Sequence, residues 1–518
     1  MNKRELFHRL IFFIALMLML IGIPFCRPFM SIGGIVLVVN WFLEGRFREK
    51  WNILISNRFL FVSLWIFLVY GLWLLFTDNY TLAWNDIWMK TPLLFMPIIL
   101  ATSRPLSVNE FHNLLKVYLI GVLISTIYGF SMYHLQAWSD KREIAVFISY
   151  IRFEMNLCFA VFVCMYVFFH DKKMQWQRFV LLLSLGWLIF LILYIGALTA
   201  IVMLVVVLSA LLIKKAVENR RKRYRLVYST VLVLILGAIS VYTFIIVKQY
   251  YTVNFDIKTA DKLSPDGNPY RHHIENGLIE NGSYVFSYVC KQELVSAWEK
   301  RSDLPFDGCD IYGQHKIENT LIRYLNSKGL RKDRIGVETL KDEDITHIEQ
   351  GIANVVYANR MGLKSRIYSL LWELSDYRAY GTVSGYTLPQ RFELWKNALC
   401  LVEKHPVFGV GTGDVKEAFA AQLGVSDSPL KDSNKLSHNQ FLLFLISFGT
   451  LGLLLILISF FYPFLASRRF KNDLFFIFFV IVISAMMTDD TFERQDGLTF
   501  FAFFNAFFLF LMPFKADE

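Results

Sequence analysis

The sequence predicts an all-α protein that crosses a membrane about twelve times and carries one large polar domain outside it. Three observations support this fold class. Hydrophobic residues make up 55% of the 518 residues, which is more than a soluble domain needs. The apolar runs are about 20 residues long, enough to cross the hydrocarbon core. One long polar segment, residues 249–438, interrupts them.

The apolar runs place nine spans in an N-terminal membrane region, 1–248, and three in a C-terminal one, 439–518. The predicted spans are 10–26, 28–44, 59–76, 84–101, 114–132, 144–169, 178–194, 196–213, 226–248, 439–465, 473–488 and 497–514. The block 178–213 is too long for one helix, so we divide it at Tyr194-Ile195-Gly196. That division determines which side of the membrane the 249–438 segment occupies.

Basic residues are concentrated in alternate loops, which predicts the orientation. One side carries Lys3, Arg4, Arg9, Arg46, Arg48, Lys50, Arg58, Arg104, Lys172, Lys173, Arg178, Lys214, Lys215, Arg220, Arg221, Lys222, Arg223, Arg225, Arg468, Arg469, Lys471 and Lys515. The short loops of the other side carry Arg27, Lys141, Arg142 and Arg494. The positive-inside rule then predicts cytoplasmic termini and an outer 249–438 segment. The net charge of +10 therefore mostly reflects the basic residues of the cytoplasmic loops, and it is not evidence for nucleic-acid binding.

The outer segment is predicted to form a small, mostly helical domain. Apolar residues such as Leu321, Leu325, Ile345 and Ile348 recur at helical spacing. The acidic run 342–344 opens one of these helices and fits the positive end of a helix dipole. Cys290 and Cys309 in this segment are candidates for a disulfide. The six cysteines include no Cys-x-x-Cys pair or Cys/His cluster, which predicts no metal site.

Arg152 is a candidate functional residue because it lies near the outer end of the sixth predicted span. An arginine in an apolar span is costly and is usually functional or paired. The alternative is an ion pair with Glu154, although residues two apart point away from each other on a helix.

Arg391 is the second candidate. Pro389 marks a helix start, and Arg391 shares a helix face with Leu394 and Trp395. The helix is predicted to end at the stretch 405–414. The glycine cluster within this stretch, 409–413, lacks the Gly-Lys-Ser/Thr of a nucleotide loop. On its own, Arg391 is most typical of a solvated or ion-paired surface arginine.

His438 is the third candidate, because it lies where the polar segment re-enters the membrane. Gly449 follows about three turns later, ~16 Å along the helix, and is followed by Gly452. Small residues at that depth let helices pack closely. A polar residue at the start of a packed helix suggests chemistry on a lipid-borne substrate. A lone interfacial histidine, by contrast, is most often structural.

Together these motifs resemble the O-antigen ligase and polymerase superfamily. The resemblance rests on Arg391-x-x-x-Trp395, on Gly409-Val410-Gly411-x-Gly413, and on His438-Asn439 followed by Gly449-x-x-Gly452. It implies a GT-C-like membrane fold and an inverting glycosyltransferase that needs no metal or other cofactor. The implied donor is a glycan on undecaprenyl diphosphate, and the implied acceptor is lipid A–core at the periplasmic face of the bacterial inner membrane.

The resemblance also implies residue roles. His438 matches the essential histidine, and Arg391 and Arg152 match arginines that bind the diphosphate. The sequence departs from many relatives at 196–200, which carries no arginine. The outer segment is therefore expected to supply further anion or glycan contacts, or else a basic solvated face. The candidates are Arg271, Arg323, Lys328, Arg331 and Lys332, together with Asn439 in the motif itself.

The acceptor stays open at this point. An O-antigen polymerase would use another lipid-linked glycan, and a protein O-oligosaccharyltransferase would use Ser or Thr. A lipid-linked glycan transporter is the alternative outside enzymes, but it predicts internal repeats and paired midplane charges. The sequence shows neither, so O-antigen ligase is our first interpretation.

Overall fold

The computed structural model describes residues 3–136, 138, 140–171, 175–253, 255–358 and 363–513. Of the basic residues used for topology, Lys172, Lys173 and Lys515 lie outside these residues. The described chain divides into two compact units. The first is Met1–Tyr228 with Glu393–Glu518, and the second is Ser229–Phe392.

Helices make up most of the described chain. The N-terminal stretch contains α1 (Lys3–Phe25), α2 (Arg27–Glu44), α3 (Phe47–Ser56), α4 (Arg58–Ser63), α5 (Trp65–Leu72), α6 (Tyr80–Lys90), α7 (Pro92–Thr102), α8 (Val108–Leu135), α9 (Tyr150–His170), α10 (Gln175–Ile195), α11 (Leu198–Glu218) and α12 (Lys222–Tyr251). The middle stretch contains the strands β1 (Ile279–Glu280) and β2 (Ser283–Tyr284), and the helices α13 (Lys291–Trp298), α14 (Ile317–Ser327), α15 (Arg334–Glu338), α16 (Asp342–Glu349), α17 (Val355–Ala358) and α18 (Leu363–Tyr380). The C-terminal stretch contains α19 (Thr387–Lys404), α20 (Val415–Val425), α21 (Gln440–Ala466), α22 (Asp473–Thr488) and α23 (Gln495–Ala506).

The helices agree with a polytopic membrane protein, but twelve spans are not confirmed. Among the described residues, seven helices are long and apolar enough to cross a membrane: α1, α8, α9, α10, α11, α12 and α21. The pair α2–α3 passes the same test only jointly and is bent by 113°. Shorter apolar helices occupy Trp65–Phe76, Asp473–Thr488 and Gln495–Leu511. The predicted span 84–101 is instead two short helices, α6 and α7.

The predicted division of the 178–213 block is confirmed. Helix α10 ends at Ile195, and α11 begins at Leu198. Gly196 between them has φ +68°, a left-handed conformation that glycine adopts without strain.

Aromatic packing builds the core of the first unit around α9. Every residue of α9 from Arg152 to Cys164 is buried. The ring of Phe159 lies 4.9 Å from that of Phe504 and 5.9 Å from that of Phe478. A helix that is apolar on all sides is stable only when it is surrounded by other helices. Arg152 is therefore surrounded by protein.

Helix α21 is interrupted at Gly449, where φ is +62° and ψ is −168°. The 405–411 loop pairs with the break: the Val410 N–H donates to the Ile446 carbonyl at 2.9 Å, and the Thr450 N–H donates to the Pro406 carbonyl at 2.9 Å. A Cβ on Gly449 would lie 2.1 Å from the Val407 carbonyl oxygen. The prediction of close packing at Gly449 is confirmed. The segment that packs against Gly449 is the 405–411 loop, however, and not another helix.

The second unit has its own apolar core. Trp298, Leu321, Leu325 and Ile348 are fully buried in it. The predicted helical pattern is therefore confirmed in α14 and α16, while the short β1–β2 hairpin was not predicted. Cys290 is buried, Cys309 is exposed, and all six cysteines, which lie among the described residues, are free. The candidate disulfide between Cys290 and Cys309 is not formed in this structure.

Candidate active site

Two adjacent carboxylates, Asp489 and Asp490, organise the polar site of the first unit. They lie in the short linker between α22 and α23, and both are buried. Neither was predicted from the sequence. The available signal was a pair of acids directly after an apolar helix, because buried carboxylates at such positions need a cationic or hydrogen-bonding partner.

Arg152 of α9 binds this linker. Its Nη2 lies 2.6 Å from Asp489 Oδ2 and donates to the Asp490 carbonyl at 2.8 Å. Its Nη1 donates to Ser149 Oγ at 3.3 Å. The partner considered from the sequence was Glu154, whereas the ion pair described here joins α9 to a linker more than 330 residues away in the chain. Arg152 is therefore a paired, buried arginine.

His438 faces the same two carboxylates. Its Nδ1 lies 3.7 Å from Asp489 Oδ1 and 3.6 Å from Asp490 Oδ2, which is within ion-pair range but longer than a hydrogen bond. Its side chain is 33% exposed and so can be reached from outside the protein. Because Nδ1 faces the carboxylates, Nε2 on the far side of the ring is the nitrogen available to a substrate.

The backbone of His438 is held in an unusual conformation by Asp490. Its φ is +48°, in the left-handed region that costs an L-residue about 1–2 kcal/mol. The Asp490 carboxylate compensates by accepting three hydrogen bonds. They come from the His438 N–H at 3.0 Å, the Asn439 N–H at 3.1 Å and the Ser437 hydroxyl at 3.2 Å. Asp490 therefore determines where the imidazole lies.

Asn439 is the N-cap of α21. Its side-chain oxygen accepts from the Phe441 N–H at 3.0 Å and the Leu442 N–H at 3.1 Å, satisfying two of the unpaired donors at the helix start. Its amide donates to the Met487 carbonyl at 3.3 Å. These contacts explain why Asn follows His in the motif, while the predicted contact of Asn439 with substrate stays a prediction.

The environment of Asp490 changes its protonation. Burial raises the pKa of this carboxyl to about 6, with the charges of Asp489 and Glu493 adding to the rise and His438 opposing it. The carboxyl that positions His438 therefore loses its proton at a higher pH than an ordinary aspartic acid does.

Arg391 belongs to the second unit, on α19, and is half-buried. The predicted helix start is confirmed, although α19 begins at Thr387, two residues before Pro389. The Glu373 carboxylate accepts from the Thr387 N–H at 2.9 Å and the Leu388 N–H at 3.1 Å. The role of Arg391 in binding a diphosphate stays a prediction.

The basic candidates of the second unit are mostly ion-paired within it. Arg323 makes two hydrogen bonds to Glu280, at 3.0 and 2.9 Å, and its guanidinium lies 3.5 Å from the centre of the Trp372 ring. Lys328 pairs with Asp344 at 2.6 Å, and Arg331 pairs with Asp261. Their predicted contacts with anions or glycans remain untested, and these ion pairs stabilise the unit itself.

Two further candidates from that set differ from each other. Arg271 is exposed. Lys332 is buried and donates to Asn326 Oδ1 at 2.8 Å, so it does not belong to a solvated face. Asp344 forms the ion pair with Lys328 and also accepts a hydrogen bond from the Tyr324 hydroxyl at 2.7 Å. In the described part of the chain, no group of three His, Cys, Asp or Glu side chains is arranged to hold a metal.

Comparison with known proteins supports the resemblance. The family model described as O-antigen ligase matches residues 351–457, about a fifth of the chain. The matched segment contains Arg391, the 405–411 loop, His438 and the Gly449 break. A search of curated proteins finds no match. Residues 351–457 are thus similar to the O-antigen ligase family.

Proposed function

Because residues 351–457 match the family model described as O-antigen ligase, we propose that this membrane protein is an O-antigen ligase. It transfers a glycan from undecaprenyl diphosphate to lipid A–core at the periplasmic face of the bacterial inner membrane, with inversion and without a metal. The observation that carries the proposal is His438, held in a left-handed conformation by Asp490 beside the buried Arg152–Asp489 ion pair.

The arginine supplies charge where the leaving group departs. Cleavage of the glycan from its carrier builds negative charge on the diphosphate, and buried guanidinium groups stabilise such charge through directed hydrogen bonds. Arg152 retains donor capacity for this purpose, because its buried Nε finds no hydrogen-bond acceptor among the described residues. Arg391 is the second arginine proposed to bind the diphosphate.

The histidine acts on the acceptor hydroxyl or on the phosphate. With its Nδ1 towards two carboxylates, a neutral His438 presents Nε2 as a base for the incoming hydroxyl. A protonated His438 would instead donate from Nε2 to a phosphate oxygen. Both roles place the same atom next to the reacting bond.

The central experiment compares transfer and stability in one sample. We expect His438→Ala, purified in detergent, to lose transfer while its thermal stability stays close to wild type. A matched control is His170→Ala, because His170 is an exposed histidine at the end of α9. Substantial transfer by well-folded His438→Ala would contradict the catalytic role. A chelator should leave the wild-type rate unchanged.

The proposed orientation is tested by cysteine labelling. An impermeant reagent on intact spheroplasts should label Asp266→Cys in the 249–438 segment and leave Lys222→Cys unlabelled. The reverse pattern would invert the topology.

The acceptor distinguishes an O-antigen ligase from the related transferases. An O-antigen polymerase and a protein O-oligosaccharyltransferase would use the same arginines and histidine. Gels of lipopolysaccharide from a deletion strain separate these cases: loss of the whole glycan ladder indicates a ligase, and core with a single repeat indicates a polymerase. A lipid-linked glycan transporter would show no transfer by the purified protein.

A further inference from the structure

A cavity of about 180 Å³ in the first unit lies where α1 begins and where α2 and α7 end. Its volume corresponds to about six water molecules. Two buried polar side chains line it, and they join α1 to α2: Nδ1 of His8 lies 2.8 Å from Oδ1 of Asn40. The Asn40 amide also donates to the His8 carbonyl at 3.1 Å. The cavity therefore offers polar groups at the ends of apolar helices, which suits a small polar ligand better than an acyl chain.

The cavity lies far from the candidate active site. At the other end of α1, Arg27 forms an ion pair with Asp496, and Asp496 also accepts a hydrogen bond from the Ser149 N–H. The Ser149 hydroxyl in turn accepts from Arg152 of the candidate site. Because α1 is 23 residues long, ~34 Å separates its two ends, which is about the thickness of a bilayer. The cavity and the candidate active site therefore lie at opposite faces of the membrane.

The charges around the cavity leave one positive charge in excess. Nη1 of Arg9 donates to the Arg104 carbonyl at 2.9 Å, so two arginines are neighbours in the lining. Four cations and three carboxylates line the cavity or pair with its lining residues: Arg9, Arg46, Lys50 and Arg104, and Glu5, Glu44 and Glu110. A phosphodiester carries one negative charge and accepts directed hydrogen bonds from guanidinium groups. Its charge therefore balances that of the cavity.

Helix α3 places the cavity at the depth of lipid headgroups. This helix turns away from the apolar α2 by 113° and exposes Phe47, Trp51 and Ile55, which are four residues apart and share one face. Such a helix lies along the membrane surface, where tryptophan is favoured. On its opposite face, the buried Lys50 forms an ion pair at 2.9 Å with Glu44, a lining residue. The cavity is therefore attached to a helix of the membrane interface.

An exposed apolar face of α1 runs from the cavity into the bilayer. Leu6, Leu10 and Ile14 lie on this face at intervals of four residues and are all exposed. They directly follow the lining residues Glu5 and Arg9 in the chain or continue the same face. The acyl chains of a phospholipid would cover this surface while its headgroup occupied the cavity. Free phosphate would make no use of it, so the surface favours a lipid.

We propose that this cavity binds the phosphodiester of a phospholipid headgroup, with the acyl chains along the exposed face of α1. Arg9 and Arg104 supply the positive charge for the phosphate. Glu5 and Glu44 retain lone pairs that accept from a hydroxyl or ammonium group of the same headgroup. In the proposed orientation the lipid belongs to the cytoplasmic leaflet, opposite to the face where transfer takes place. The lipid site does not depend on the proposed transferase activity.

The test measures lipid binding to the delipidated full-length protein in detergent by native mass spectrometry. Phosphatidylglycerol and phosphatidylethanolamine should bind with affinities within about threefold, because both carry the phosphodiester, and diacylglycerol with the same chains should bind about tenfold more weakly. Binding of phosphatidylglycerol alone would indicate attraction to net charge and would overturn the site. Displacement of either lipid by an excess of inorganic phosphate would show that the cavity takes the free anion, which would overturn the lipid.

Two single substitutions show whether the lipid binds at this cavity. Arg104→Gln removes an exposed cation of the lining and should weaken the binding of both phospholipids about tenfold. The matched control is Arg48→Gln, which removes an exposed cation of α3 that does not line the cavity, and it should change both affinities less than about twofold. Equal effects of the two substitutions, or wild-type affinities in Arg104→Gln, would overturn the proposal.

Arg9→Gln provides a second variant within the lining. It should weaken phospholipid binding as Arg104→Gln does, but it also breaks the ion pair with Glu110. If Arg9→Gln fails to fold, Arg104→Gln decides the question. Because every readout is lipid binding, loss of the transferase proposal would leave this result unchanged. Normal transfer by a protein that binds neither phospholipid at this cavity would refute the lipid site alone.

Discussion

Substitution of Asp490 by alanine should remove transfer activity with only a local loss of stability. The change deletes the acceptor for the backbone N–H groups of His438 and Asn439 and for the Ser437 hydroxyl. These groups are part-buried, so about 1–2 kcal/mol for each of the two N–H groups is a reasonable cost, about 2–4 kcal/mol in all. The left-handed φ of His438 is itself unfavourable, so without Asp490 the backbone is expected to move to another conformation.

The expected effect on rate follows from that free energy. If only the wild-type loop conformation is active, 2–4 kcal/mol lowers its population by a factor of about 30 to 700, since 1.4 kcal/mol corresponds to a factor of ten. The assay is transfer by purified protein at saturating substrate, normalised to folded protein. The loss should appear in kcat, because the histidine is misplaced in every enzyme–substrate complex.

Asp414→Ala is the matched control. The Asp414 carboxylate also accepts from two backbone N–H groups, those of Asp78 at 2.8 Å and Asn79 at 2.9 Å. This variant should lose a comparable amount of stability while retaining a much larger share of the rate per folded molecule. Equal rate losses in the two variants, or a rate for Asp490→Ala within threefold of wild type, would refute the positioning role of Asp490.

Three further outcomes are expected. At matched expression, Arg391→Lys should impair complementation of a deletion strain nearly as much as Arg391→Ala. Lysine lacks the planar guanidinium that binds a diphosphate through two hydrogen bonds. Full complementation by the lysine variant would argue against diphosphate binding by Arg391. Gly449→Ala should sharply reduce the yield of folded protein, because its Cβ would lie 2.1 Å from the Val407 carbonyl, whereas Gly424→Ala, with open space around it, should not. Because burial raises the Asp490 pKa to about 6, the transfer rate should rise as the pH increases through about 6. The rate of Asp490→Asn should not show this rise. The same rise in the variant would mean that another group causes it.

The sequence predicted those features that depend on local composition. Apolar runs of spanning length identify helices such as α8 and α21 without any tertiary information. The helix start near Pro389 and the break at Gly196 follow from backbone preferences of single residues. Where a span is assembled from short pieces, as with α6 and α7, hydropathy alone does not reveal the interruption.

The candidate site was only partly predictable, for a physical reason. Arg152 and His438 attract notice because each is a polar group in or beside an apolar helix. What joins them is the 489–490 linker, more than 330 residues from Arg152 and about 50 residues from His438 in the chain. No periodicity or spacing encodes such a distant pairing. The two acids were visible in the sequence, but their partners depend on how α9, α21 and α22 pack.

The paired break in α21 has a consequence for synthesis. The backbone groups freed at Gly449 need partners within a bilayer, and the 405–411 loop supplies them. That loop precedes the break by about 40 residues, so it leaves the ribosome first. The donors and acceptors that pair with the broken turn are therefore synthesised before the helix that needs them. Moving the loop to the C-terminal side of α21 would reverse this order, and the helix would then enter the membrane with its broken turn unpaired.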